Sequence, residues 1–180
     1  MNEPVAEAPP GSGLDFGPWG RRLLALCKLV AIMGGLVFVA LVLMSIVSIV
    51  GRKIASAPLP GDVELLQVCS AFAAASFFAY CHLVGGDVKV DFFTQHLRPS
   101  RVHTLDAIGS LLVGLFGALI AWRSFAGAMS VKESGETTMI LSLPLWVGQM
   151  LMVPGFVLLA AAGFYMVAHH LRAIRQGVDA

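Results

Sequence analysis

The chain has 180 residues, 57% of them hydrophobic and 13% charged, and its mean hydropathy is +0.81. These values lie outside the range of soluble globular domains and predict that lipid surrounds most of the chain. The 12 basic and 11 acidic residues give a net charge of only +1, which leaves no broad basic surface for nucleic acid.

The N-terminal residues 1–18 are rich in proline and glycine and carry three acidic residues. Such a composition buries too little apolar surface to offset the entropy lost on ordering, so we predict a disordered cytoplasmic tail. The remainder predicts an all-α membrane protein of four transmembrane helices. Its membrane domain covers residues 19–176, and a short C-terminal tail follows at 177–180.

The first span is predicted over residues 23–50, where Lys28 is the only charged residue. Arg21 and Arg22 before this run, together with Ala-Ser-Ala at 55–57, also resemble an export signal with its cleavage site. The apolar part of a signal peptide is about 7–15 residues long, however, and this run is much longer. We therefore favour a transmembrane helix over a cleaved signal.

The second span is predicted over residues 62–84. Asp62 is expected to cap this helix, and Glu64 in its first turn faces the positive end of the helix dipole. Before the next span, residues 92–97 are predicted to form a short helix in the headgroup region, capped by Asp91.

The third span is predicted over residues 105–131 and the fourth over 145–168. Ionisable side chains are missing from the central part of every span, because Asp106 lies at the start of the third and the long side chain of Arg123 is expected to reach the outer interface. A lone exporter would need a carboxylate near the membrane midplane. We therefore do not expect the chain to form a transport pathway by itself.

The orientation follows from lysine and arginine, which are retained on the cytoplasmic side of short connections. Eight fall on the side of the termini: Arg21, Arg22, Lys28, Lys89, Arg98, Arg101, Arg172 and Arg175. Four fall on the opposite side: Arg52, Lys53, Arg123 and Lys132. This asymmetry predicts that both termini lie in the cytoplasm.

Small residues recur in the predicted helices and permit close approach of neighbouring helices. They include Gly34, Gly35, residues 73–76, Gly109, Ser110, Gly114, Gly117 and residues 160–163. Glycine and alanine are also generally tolerated in membrane helices, so the sequence leaves open which of them lie at helix contacts.

The sequence carries no nucleotide-binding motif, no HExxH and no evident pair of nucleophile and base. Its cysteines, Cys27, Cys69 and Cys81, lie in apolar stretches without a CxxC pair and are read as small buried hydrophobic residues. We expect no enzymatic activity, no cofactor and no metal site.

Histidines near the same ends of three spans suggest an alternative function. Paired histidines on facing helices are axial ligands of b-type haem, so the chain could instead anchor an electron-transfer complex in the membrane. The four histidines concerned are His82, His103, His169 and His170. Histidine is also an ordinary interfacial residue at a helix end, and we favour that interpretation.

Several short motifs in a fixed order resemble the small membrane subunit of tripartite ATP-independent periplasmic (TRAP) transporters, the DctQ-like family. The resemblance covers roughly residues 52–155, within four spans and a similar chain length. The motifs are Gly51-Arg52, Glu64-Leu65, Gly86-Asp87-Val88-Lys89-Val90-Asp91, Leu97-Arg98-Pro99, Leu141-Ser142-Leu143-Pro144-Leu145-Trp146 and Pro154-Gly155. The family often has histidine in place of Asp87 and an aromatic residue in place of Pro60-Gly61.

The resemblance implies secondary active transport driven by a sodium gradient in the bacterial inner membrane. A periplasmic binding protein would deliver an organic acid, and a large DctM-like subunit would hold the substrate and sodium sites. The chain itself would be a fixed scaffold for that subunit. The candidate residues for partner contact are Arg52, Glu64, Asp87, Asp91 and Arg123.

Overall fold

The computed structural model describes residues 17–55, 60–87 and 99–175, which form four helices. α1 comprises Pro18–Ala55, α2 Asp62–Leu83, α3 Pro99–Ser134 and α4 Leu145–Arg175. All four are long and apolar enough to cross a membrane, which confirms the predicted all-α fold with four such helices. The interfacial helix predicted at 92–97 and its capping residue Asp91 lie outside the described residues.

Three helices, α1, α3 and α4, are longer than the spans predicted for them, and α4 continues to Arg175. α1 has 38 residues and α3 has 36. At a rise of about 1.5 Å per residue, each helix is about 55 Å long, whereas the hydrocarbon core of a bilayer is roughly 30 Å thick. α3 begins at Pro99, because proline suits the first helical position, where no backbone N–H is needed. Arg52 and Lys53 lie in the last turn of α1, where cations favour the negative end of the helix dipole.

The four helices form an open row in the order α1, α2, α4, α3. α3 and α4 make the most extensive contact, α1 packs on α2, and α2 packs on α4. Among the described residues, α3 does not approach α1 or α2. The outer helices α1 and α3 consequently expose broad apolar faces, while α4 is the most buried of the four.

Small residues set the close contacts along this row. A Cβ added at Gly34 of α1 would lie 2.6 Å from the Cβ of Ser76 on α2, and one at Gly155 of α4 would lie 2.7 Å from the Ala75 carbonyl oxygen. At the α3–α4 contact, a Cβ at Gly163 would lie 2.5 Å from the Cα of Gly114. Apolar side chains gain little by associating in lipid, so such close backbone packing is what holds these helices together.

Candidate functional site

Polar residues collect at the two ends of the helix row. We call one the loop end: it comprises the last turn of α1, the first turn of α2 and the α3–α4 connection at residues 135–144. We call the other the histidine end: it comprises the end of α2 through Asp87, the first turns of α3 and the last turns of α4.

At the loop end, the carboxylate of Glu64 fastens the α3–α4 connection to α2. Glu64 Oε1 accepts a hydrogen bond from the Ile140 N–H at 2.9 Å, and Oε2 accepts one from the Leu141 N–H at 3.0 Å. The connection also closes on itself, because the Thr138 N–H donates to the Leu143 carbonyl at 2.8 Å and the Leu143 N–H donates to Thr138 Oγ1 at 3.0 Å. Charge-assisted bonds of this kind are stronger than neutral ones, so Glu64 fixes the position of the turn.

The contact between α2 and the turn also requires a glycine. Gly61 caps α2 in the left-handed conformation, with φ of 79°, and a Cβ there would lie 2.4 Å from Leu141 Cγ. Both the backbone conformation and the lack of space therefore exclude other residues at this position. The turn in consequence presents an apolar tip, with Met139 97% exposed and Ile140 61% exposed.

The expectation that Asp62 caps α2 is wrong, since the cap is Gly61 and Asp62 is the first helical residue. Its carboxylate instead joins α2 to α1: Oδ2 accepts a hydrogen bond from the buried Ser48 hydroxyl and lies 3.7 Å from Arg52 Nη2. Oδ1 accepts from the Val63 N–H at 2.8 Å. Asp62 therefore joins α2 to α1 instead of forming the N-terminal cap that the sequence predicted.

We predict that Glu64→Gln loosens the α3–α4 connection without unfolding the helices. The amide side chain cannot accept two charge-assisted bonds, so amide hydrogen exchange at Ile140 and Leu141 should become faster. Glu133→Gln is the matched control, because Glu133 is an exposed acid on α3 at the same end of the row. Equal exchange rates in wild type and Glu64→Gln, or equal acceleration in both variants, would contradict this role.

The register of α3 against α4 sets the level of Arg123 along the row. α3 and α4 run antiparallel: Gly117 faces Phe156 and Ala160, and Gly127 faces Gln149. Arg123 lies between those two glycines and is therefore level with residues near 153 of α4, close to the middle of the apolar segment 145–167. That its long side chain reaches the outer interface stays a prediction.

At a similar level, the contact of α3 with α4 borders an apolar hollow of about 380 Å³. Its wall includes Trp122, which is 73% exposed, and the small residues Ala118 and Ala121. Arg123 does not line the hollow, because at about 3.6 residues per turn it lies on another side of α3. Arg123 is exposed, and among the described residues it forms no ion pair. The outer helix α3 therefore carries an apolar recess on one side and an exposed cation on another.

At the histidine end, α2, α3 and α4 line a cavity of about 240 Å³. His82 Nδ1 pairs with Asp87 Oδ2 on its α2 side. Asp106 and His170 line its α3–α4 side, and one ligand atom of each lies within 4.8 Å of the other and of one from His103. The histidines were grouped from the sequence without Asp106, although its spacing of three from His103 places both on one helix face.

The structure separates the predicted contact residues. Arg52 and Glu64 lie at the loop end, Arg123 at mid-depth on α3, and Asp87 at the histidine end beside His82. Asp91 lies outside the described residues. The residues that can be located therefore do not form one site but mark three levels of the helix row.

Four long apolar helices define this chain as a multi-pass membrane protein. The model of the family described as tripartite ATP-independent periplasmic transporters, DctQ component, matches residues 41–173, and the chain belongs to this family. It is thus a small membrane subunit of a transporter, as the sequence motifs indicated, and it works with other components of that transporter. The alternative of a haem-binding membrane anchor receives no support from this match. No curated protein and no solved structure matches the chain.

Proposed function

We propose that this chain is the scaffold subunit of a sodium-driven TRAP transporter in the bacterial inner membrane. A periplasmic binding protein delivers an organic acid to a large DctM-like subunit, which holds the substrate and the sodium ions. The present chain packs against that subunit and fixes its position in the bilayer. It contributes no catalytic group to the process.

The observation that carries this proposal is the exposed surface of α3, the outer helix of the row, which includes Arg123 level with the apolar middle of α4. Lipid alone covers an apolar helix face adequately, but it offers no partner for a guanidinium in the hydrocarbon. Insertion measurements put the cost of arginine at the centre of a membrane helix at about 2.5–3.5 kcal/mol. A carboxylate or free backbone carbonyls of a partner protein would offset that cost.

The hollow at the border of α3 and α4 supports docking of a helix. Ala118 and Ala121 line it together with Ala160, and side chains this small let a partner helix approach closely. Trp122 and Phe125 supply large apolar surface for the same contact. We therefore assign the exposed surface of α3, with the hollow on one side and Arg123 on another, to the large subunit.

Co-purification in mild detergent tests the assignment. Arg123→Leu should lower recovery of the large subunit, since removing one member of a buried charge pair costs about 2 kcal/mol or more in association. Lys53→Leu is the control, because it removes one exposed cation at the end of α1. Recovery unaffected by Arg123→Leu, or lowered equally by Lys53→Leu, would contradict a contact between Arg123 and the large subunit.

We further propose that both termini and the histidine end face the cytoplasm. The eight-to-four excess of lysine and arginine supports this orientation. The loop end would then face the periplasm, where the exposed tip formed by Met139 and Ile140 is available to the binding protein. Arg52 and Glu64 remain candidate contacts on that side, and Asp87 and Asp91 on the cytoplasmic side.

Cysteine labelling in intact cells tests the orientation. In a background without the three native cysteines, cysteines at Ser56 and Ser134 should react with a membrane-impermeant thiol reagent. A cysteine at Ser100 should react only after the membrane is permeabilised. Labelling of Ser100 in intact cells, with protection of Ser56, would establish the opposite orientation.

A further inference from the structure

His103, Asp106 and His170 form a compact set of ligating side chains at the histidine end. His103 and Asp106 are three residues apart on α3 and therefore project from the same face of the helix. His170 approaches from α4, with its imidazole centroid 5.8 Å from that of His103. His170 is only 7% exposed, and His103 and Asp106 are half-buried.

The adjoining cavity supplies a second, independent observation. His82 lines it, is 7% exposed, and uses Nδ1 for its contact with Asp87. Its other nitrogen, Nε2, is buried and has no hydrogen-bond partner among the described residues, and the same holds for His103 Nδ1. Leaving such nitrogens unsatisfied is costly, which indicates that a ligand or an ion occupies this place.

We propose that His103, Asp106 and His170 bind a divalent transition-metal ion of the zinc class, which clamps the start of α3 to the end of α4. Two imidazoles and a carboxylate are a common ligand set for zinc, with a water molecule at the fourth position. His82, oriented by Asp87, faces the same cavity and is a hydrogen-bond partner for that water. From the sequence we expected no metal site.

The geometry fits such an ion after a small adjustment. Zinc bonds of about 2.0–2.2 Å place ligand atoms roughly 3.3–3.5 Å apart in a tetrahedron. The three atoms already lie within 4.8 Å of one another, so a contraction of up to about 1.5 Å, within reach of side-chain rotation, closes the site. Gly109 lines the cavity, and nothing lies within 4 Å of a Cβ built there.

The test is zinc binding by the full chain, purified in mild detergent with an affinity tag that contains no histidine. After equilibration with a zinc-buffered solution, the wild type should retain one zinc ion per chain by elemental analysis. Asp106→Asn and His170→Gln should each weaken zinc binding on the order of tenfold or more. Zinc should also raise the melting temperature of the wild type and not that of either variant.

His169→Ala is the matched control, because His169 neighbours His170 on α4 but does not belong to the ligand set. It should retain zinc like the wild type. The size-exclusion profile and the helical circular dichroism spectrum establish whether each variant is folded. If His170→Gln is unfolded, zinc binding by the near-isosteric Asp106→Asn tests the ligand set. Absence of bound zinc in the wild type, retention by Asp106→Asn, or an equal loss in His169→Ala would each overturn the proposal.

Discussion

Gly163→Ala is expected to destabilise the protein, although alanine is the better helix former. The new Cβ would lie 2.5 Å from the Cα of Gly114 and 2.8 Å from the Ser110 carbonyl oxygen, both of them backbone atoms of α3 that no side-chain rotation can move. α3 and α4 must therefore separate along their shared contact. Overpacking of this kind costs about 1–3 kcal/mol, measured here as a lower midpoint of thermal unfolding in detergent.

Gly109→Ala provides the control with the same chemical change on the neighbouring helix. Nothing lies within 4 Å of a Cβ at Gly109, so this variant should show only the helix-propensity gain of up to about 1 kcal/mol. The two substitutions should thus shift the unfolding midpoint in opposite directions. A stabilised Gly163→Ala would mean that α3 and α4 are not held by direct backbone contact.

The number of helices could be predicted from the sequence because each apolar run is long enough to cross a bilayer. The order of the helices in the row could not. A membrane helix is apolar on the lipid side and on the protein side alike, so its pattern does not reveal which face packs. The small residues indicated candidate positions for helix contacts but did not identify which of them make contacts. Gly34, Gly114 and Gly117 lie at helix contacts, whereas Gly109 faces open space.

The roles of the polar residues depended on contacts that are distant in sequence. Glu64 was predicted in the first turn of α2, but the amides it binds belong to Ile140 and Leu141, 76 and 77 residues later. The level of Arg123 along the row likewise depends on a distant contact, because the register of α3 against α4 sets it. α3 continues beyond Arg123 for a further 11 residues to Ser134.

The composition of the helix interiors bears on whether this chain can bind the transported solute. In the described part of the chain, no carboxylate lies between Glu64 in the first turn of α2 and Asp87 just beyond its end. α4 contains no carboxylate. Sodium binding requires oxygen ligands that replace its water, and apolar spans do not provide them. Arg123 alone could pair with a carboxylate substrate, but it is exposed on the outer helix α3 and lines none of the described cavities.

We therefore predict that the chain alone, reconstituted in liposomes, shows no sodium-dependent uptake, and that cells lacking it lose transport completely. The large subunit would have lost the scaffold that fixes its tilt and depth. Arg123→Leu separates scaffolding from substrate binding. It should lower the maximal rate of uptake in proportion to the amount of assembled complex, while the substrate concentration for half-maximal uptake stays at the wild-type value. A higher half-saturating concentration at normal complex yield would show that Arg123 touches the substrate, and uptake by the chain without a partner would refute the scaffold function altogether.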